Sequence, residues 1–316
     1  MSPLHIFLSP HLDDAVFSCG GAIAALTKAG ERVVVVTVTA ASPDLRRLPE
    51  SARSLHSLWG IAGDAVAARR KEDFAAAALL GFEPVHLDFL DAIYRTDSHG
   101  RFLYPTRESL FPDGRWQRER TLALRLSMRL SGLGSEQMAC AADSGPARKE
   151  TDGAAVSGPA RKETEGAADS GPARKGSAGA ATFYAPLALG RHVDHQLLRR
   201  AVRLAGLNPA WYEDFPYVGS ESALESGDVR TAACRVAQLV GCRSTGLRQV
   251  LVPFDPDLRA QAMRAYRSQL GAVFGSEEEM LEEMTAFLPR GTDGSPAERL
   301  WFPEDCPLPT WFTRAG

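Results

Sequence analysis

Apolar residues in the first ninety positions fall into short runs that switch between strand-like and helix-like spacing. Leu4-His5-Ile6-Phe7-Leu8 is a short apolar run, read as a strand, and it gives way to the polar turn Ser9-Pro10-His11-Leu12-Asp13-Asp14. Gly20-Gly21 leads into a helical pattern over residues 22–29, closed by Gly30, a favoured residue just past a helix end. Residues 32–39 are almost unbroken Val and Thr, the pattern of a strand buried on both faces of a parallel sheet. An alanine-rich helix is predicted over 65–80, stopping at Gly81, and a third strand over 84–88. Strand, helix, strand, helix, strand predicts an α/β sheet with right-handed crossovers. Ligands of such sheets bind at the carboxyl ends of strands, where the turn from Ser9 to Asp14 falls.

The pattern breaks between about residues 134 and 181. A 13-residue unit, Ser144-Gly-Pro-Ala-Arg-Lys-Glu-Thr-Asp-Gly-Ala-Ala-Val156, recurs from Ser157 and again, degraded, from Ser170. A repeat almost without large apolar side chains buries no core face, so it is expected to be a disordered low-complexity insertion in one domain spanning 1–316. Strand character returns over 182–187, followed by the polar cluster Gly190-Arg191-His192-Val193-Asp194-His195-Gln196 and an amphipathic helix over 197–204. Residues 210–217 read as strand into loop, 255–270 and 277–287 as helices, and the aromatic, proline-rich 301–312 as a segment packing back over the sheet.

Composition narrows the class. The 316 residues are 44% hydrophobic and 24% charged, ordinary for a globular chain, and the net charge of −3 gives no general attraction to nucleic acid or an anionic membrane. Basic residues form no aromatic-studded stripe, so no nucleic-acid partner is expected. No apolar run reaches membrane-spanning length, and the amino terminus lacks the features of a secretory signal. Five dispersed cysteines without a Cys-x-x-Cys argue against a disulfide framework, which points to the cytoplasm. A homo-oligomer is compatible with this composition.

The chemistry is concentrated in the two polar turns. His11 and Asp14 lie three apart after one strand, and His192 and His195 lie three apart at a helix entrance. A catalytic zinc takes three imidazole or carboxylate ligands and keeps one position for water, whose pKa it lowers towards about 7. His-x-x-Asp with a distant His supplies that donor set. Neighbouring side chains in an extended turn point apart, so of Asp13 and Asp14 one coordinates and the other is free to act as general base. Against this, a lone His-x-x-Asp is a weak signal, and paired Asp residues before a helix also serve as N-caps. Two such clusters, both after strands, favour the site.

The same residues carry a resemblance. Ser9-Pro-His-Leu-Asp-Asp14 followed by Ala-Val-Phe-Ser-Cys-Gly-Gly21 resembles the His-Pro-Asp-Asp signature of the LmbE-like (PIG-L) de-N-acetylases, and His192-Val-Asp-His195 resembles that family's second motif. Arg69-x-x-Glu72 is similar to the family's Arg-x-x-Glu helix, and Tyr212-Glu-Asp-Phe-Pro-Tyr217 to a segment of one branch. The resemblance implies a Rossmann-like, mostly parallel sheet flanked by helices. It implies Zn2+ held by His11, Asp14 and His195, with Fe2+ or Mn2+ as alternatives for the same donors. Asp13 is then the base, and His192 stabilises the oxyanion or protonates the leaving amine, with Asp194 orienting its imidazole.

Leu12, Ala15 and Val193 depart from the family's usual residues without removing a ligand or the base. Arg69 and Asp91 are expected to contact the sugar, although an Arg-Glu pair three apart on a helix is ordinarily a solvated ion pair. The implied reaction removes the N-acetyl group from an N-acetylglucosamine-type compound. The alternatives are a metal-dependent hydrolase of another amide or ester, and a sugar-binding module without turnover.

Overall fold

A computed structural model describes residues 3–112, 119–143, 181–217, 236, 246–291, 293–309 and 311–312. Seven strands form one sheet in the order β3-β2-β1-β4-β5-β7-β6. They are β1 (Leu4–Ser9), β2 (Arg32–Thr37), β3 (Glu83–His86), β4 (Thr182–Pro186), β5 (Ala210–Tyr212), β6 (Leu247–Pro253) and β7 (Ala297–Pro303). The first five pair in parallel, whereas β7 runs antiparallel to both β5 and β6. The expected mostly parallel α/β sheet is what the chain forms.

Alternation along the central strands explains why the sheet is covered on both faces. On β1 and β2, Phe7, Val33 and Val35 point into one apolar layer, and Leu4, Ile6, Leu8, Val34 and Val36 into the other. The first layer is closed by α1 (Asp14–Lys28), α3 (Ala65–Leu80), α6 (Pro256–Arg264) and α8 (Glu277–Phe287), through residues such as Ile23, Ala76, Met263 and Met280. The second is closed by α4 (Arg120–Asp143) and α5 (Val193–Leu204), through Leu126, Leu130, Leu198 and Val202. α2 (Glu50–Leu58) lies outside these layers, α7 (Arg267–Val273) packs Leu270 and Val273 against the first, and both line the rim of the pocket described below.

Several expectations are corrected. The first helix starts at Asp14 rather than residue 22 and runs through Gly20-Gly21. Gly21 is needed there because a Cβ would lie 2.2 Å from the Phe254 ring. The helix expected over 255–270 is two, broken at Tyr266, whose backbone leaves the helical region with ψ 57°. The aromatic carboxyl-terminal segment does not simply pack over the sheet, since Ala297–Pro303 enters it as β7. Its charged Glu298 disguised a buried strand, because that side chain is neutralised inside the fold: Arg259 lies 3.3 Å away, and the N–H groups of Gly21 and Ala22 donate to it at 2.9 and 2.6 Å. α4 carries helix to Asp143, ten residues into the stretch read as insertion, and residues 144–180 lie outside the described residues.

Glu298 thus ties β7 to the middle of α1. Removing one member of a buried ion pair leaves the other charge without compensation, which costs about 3–5 kcal/mol. Glu298→Ala is expected to lower unfolding free energy by about that amount in denaturant titration, and a loss below roughly 1 kcal/mol would contradict this account of the pair.

Candidate active site

β1 and β4 are adjacent and parallel, but the chain leaves β1 towards β2 on one side and leaves β4 towards β5 on the other. This is the switch point of the sheet, where two loops diverge and open a crevice at the carboxyl ends of the strands. The loop after β1 and the start of α1 supply His11, Asp13 and Asp14, and the turn after β4 and the first turn of α5 supply His192, Asp194 and His195. The end of β5 adds Asp214.

The first loop is fixed by short polar contacts. Ser9 Oγ donates to the His11 carbonyl at 2.6 Å and accepts from the Ala15 N–H at 3.0 Å, while Thr39 Oγ donates to the Pro10 carbonyl at 2.8 Å. Because Ser9 satisfies the helix start, Asp13 at the N-cap position makes no side-chain capping bond. Its carboxylate instead lies 3.1 Å from Arg69, whose guanidinium stacks 5.0 Å from the Trp59 ring centre. The capping explanation of the Asp pair therefore fails for Asp13. The helical Arg69–Glu72 ion pair fails too, since Glu72 accepts from the Ser268 N–H and hydroxyl instead.

Asp14 Oδ2 is the meeting point of the two loops. It lies 2.9 Å from His11 Nδ1 and 3.2 Å from His195 Nε2, and it also accepts the His11 backbone N–H at 2.8 Å. His195 Nδ1 donates to Asp214 Oδ1 at 2.5 Å, and Asp214 Oδ2 accepts the Leu189 N–H at 3.3 Å. That leaves His195 Nε2 buried, aimed at Asp14 and without a directed hydrogen bond. Two electronegative atoms this close need a positive charge on or between them. Burial opposes it, but Asp14 and Asp214 hold the His195 imidazole up at about 9, and Asp14 likewise raises His11 well above its ordinary value. A divalent cation fits the same place, since tetrahedral zinc with bonds of about 2.0–2.2 Å sets its donors roughly 3.3 Å apart. Ring nitrogens of His11, His192 and His195 also lie within 4.8 Å of one another, as do donors of His11, Asp91 and Asp194.

Asp194 departs from its expected place. Its carboxylate does not orient His192: Oδ2 lies 3.2 Å from His11 Nε2 and accepts the Ala92 N–H at 3.0 Å, and Oδ1 pairs with Arg95. Only its backbone reaches His192, donating to Nδ1 at 3.2 Å. That bond assigns the ring proton to Nε2, facing the pocket. Burial and the neighbouring His11 hold His192 well below its usual pKa, so it is a neutral N–H donor. Asp13 goes the other way: burial raises its carboxyl despite Arg69, giving a stronger base than an exposed Asp.

The turn that aims His192 is conformationally demanding, with Ala188 and Arg191 both at φ 60°. Gly190 between them leaves room for Tyr217, whose side chain a Cβ would meet at 2.4 Å. The crevice holds a cavity of about 120 Å³, space for several waters or an acetamido group. His11, Asp13, Asp91 and His192 lie at its floor, with Trp59, Phe111 and Tyr217 as aromatic walls. Asp91 Oδ1 accepts the Ile93 N–H at 3.1 Å, and Oδ2 lies 3.7 Å from His11 Nε2. The eight residues expected in the site thus come together. Asp214 lies two residues past β5, the strand next to β4, and that place is the signal for its contact with His195. Arg95 and Gln269 carried no motif.

Residues 6–129 match the family model described as PIG-L: GlcNAc-PI de-N-acetylase. The 2'-N-acetylparomamine deacetylase of Niallia circulans is 28% identical over 289 residues, covering 87% of this chain and 83% of that protein. Among solved structures, the zinc inhibited form of teicoplanin deacetylase Orf2 superposes with a TM-score of 0.65 at 24% identity, covering 94% of this chain and 97% of that one. The A40926 pseudoaglycone deacetylase Dbv21 gives 0.60 at 24% identity, covering 95% and 96%. At such identity the two structures establish a common fold.

The donor set is expected to take up a divalent ion in competition with protons on His11 and His195, so apparent affinity should rise with pH up to about 9. Asp214→Ala should weaken that affinity by about 10–100-fold in competition with a chelating dye. Affinity unchanged by the substitution would remove His195 from the ligand set.

Proposed function

Since residues 6–129 belong to the PIG-L (LmbE-like) family, we propose that this protein is a metal-dependent hydrolase that removes an N-acetyl group from an N-acetylglucosamine-type amino-sugar compound. The observation that carries the reading is Asp14 Oδ2 set between His11 and His195, with the uncapped Asp13 beside it and a neutral His192 opposite. The 2'-N-acetylparomamine deacetylase of Niallia circulans, similar over most of both chains, supports the substrate class.

His11, Asp14 and His195 would hold the ion, with zinc the first choice for two imidazoles and a carboxylate and Fe2+ or Mn2+ as alternatives. When bound, such an ion supplies Lewis-acid polarisation and acidifies water at neutral pH. Asp13 takes the proton from the attacking water and returns it to the amine as the C–N bond breaks, which yields acetate and a free amine. Arg69 keeps Asp13 facing the pocket through their 3.1 Å contact. The Nε2–H of His192 donates to the oxyanion as it develops; its lowered pKa suits this better than delivery of a proton to the amine. Asp194 and Arg95 keep His11 in place. Trp59, Phe111 and Tyr217 line the pocket with aromatic surface for a sugar ring, and Asp91 offers a carboxylate oxygen to a hydroxyl. Among the described residues no helix is long and apolar enough to cross a membrane. The free Cys19 and Cys306 fit a reducing compartment such as the cytoplasm.

The reading is tested by loading the purified protein separately with Zn2+, Fe2+ and Mn2+ and assaying amine release from acetylated amino sugars alongside hydrolysis of simple esters. Amine release is expected. Ester cleavage without amine release would assign another substrate class, and sugar binding without turnover would make the protein a binding module.

Asp13→Ala is expected to lower kcat by about 10²–10⁴-fold while leaving metal content unchanged. His192→Ala is expected to cost about 10²–10³-fold in kcat. Retained turnover in the Asp13 variant would deny its role as base.

A further inference from the structure

One wall of the cavity comes from the carboxyl-terminal third, where no motif is legible. α7 brings Gln269 to the pocket, and its side chain is nearly buried, with 4% of the residue exposed. A buried amide at a polar cavity is costly unless its groups are matched, so its hydrogen bonds decide what it does there.

Those bonds run in one direction. Glu72 on α3 accepts both the Ser268 N–H at 2.9 Å and the Ser268 hydroxyl at 2.6 Å. A carboxylate only accepts, so Ser268 spends its single hydroxyl proton on Glu72 and keeps only lone pairs for its other neighbour. Gln269 Nε2 fills that role, donating to Ser268 Oγ at 2.8 Å. The relay Gln269 to Ser268 to Glu72 therefore fixes which end of the amide is which: the NH2 faces Ser268, and the carbonyl Oε1 is left as an acceptor. Glu72 lies one helical turn from Arg69, the partner of Asp13, so α3 anchors both the base and this acceptor.

We propose that Gln269 is a specificity residue whose Oε1 accepts a hydrogen bond from a hydroxyl of the bound sugar, and that Ser268 and Glu72 are positioning residues that set its orientation. The inference rests on the proposed substrate class. A site built to accept from a hydroxyl discriminates against the analogue lacking it. Gln269→Met keeps the length and apolar volume of the side chain and removes its polar atoms.

The test uses the intact protein, N-acetylglucosamine and its 3-, 4- and 6-deoxy analogues. Two readouts are taken: binding, followed by fluorescence of Trp59 in the pocket wall, and kcat and KM for amine release. One deoxy analogue is expected to bind the wild type about tenfold more weakly than the parent sugar. Gln269→Met should lose a similar factor for the parent, chiefly in KM, and should no longer distinguish that analogue from it. Ser268→Ala should weaken the discrimination in part, with kcat retained. If Gln269→Met discriminates among the analogues as the wild type does, or if the wild type binds neither the parent nor any analogue, the inference is overturned. If hydroxyl discrimination depends on Gln269 in the binding assay but no amine is released, the deacetylase reading fails while the role of Gln269 stands.

Discussion

The site depends on a single adjacency, the parallel pairing of β1 with β4 across a part of the sequence that diverges in two directions. That pairing puts the loop after Ser9 beside the loop after Pro186 and lets one oxygen of Asp14 reach His11 in its own loop and His195 on the other side. Ile6 faces Phe183 and Phe7 faces Tyr184 in the register, and the Phe7 and Tyr184 rings stack at 4.1 Å. Slipping a strand by one residue would exchange the two apolar layers, so core packing and site geometry are fixed by the same contacts.

Around Asp14 the pocket gathers an unusual density of buried carboxylates, and each has a stated counterpart. Asp13 faces Arg69, Asp194 faces Arg95 and His11, and Asp214 faces His195. Burial opposes ionisation of Asp13, Asp14 and Asp194, yet Arg95 and His11 hold Asp194 well below the usual carboxylate range, and His195 and His11 do the same for Asp14. Asp13 is the exception, with its carboxyl raised by burial beyond what Arg69 compensates. Adjacent residues in one turn are thus tuned in opposite directions. Asp14 is suited to hold a cation, and Asp13 to exchange a proton.

The parallel half of the fold is legible in the sequence because buried parallel strands are written as runs of Val, Ile and Leu, and because helices end on glycines such as Gly81 at φ 77°. The antiparallel edge is not, since β7 carries Glu298 and Arg299 in a strand whose charges are matched only by tertiary partners on α6 and after β5. The motif residues were likewise legible by spacing, but their partners were not. Asp194 looks in sequence like the natural companion of His192, two positions away, whereas helix geometry turns its carboxylate to His11 and Arg95. Asp214 and Gln269 are single polar residues whose roles arise only when their elements are brought to the pocket.

The most direct test of the account is a metal titration of chelator-treated protein with amine release followed at each addition. If His11, Asp14 and His195 form one catalytic metal site, activity should climb from background and break at about one equivalent per chain, with Asp14→Ala showing neither tight uptake nor recovery. Full amine release by protein stripped of metal would contradict it.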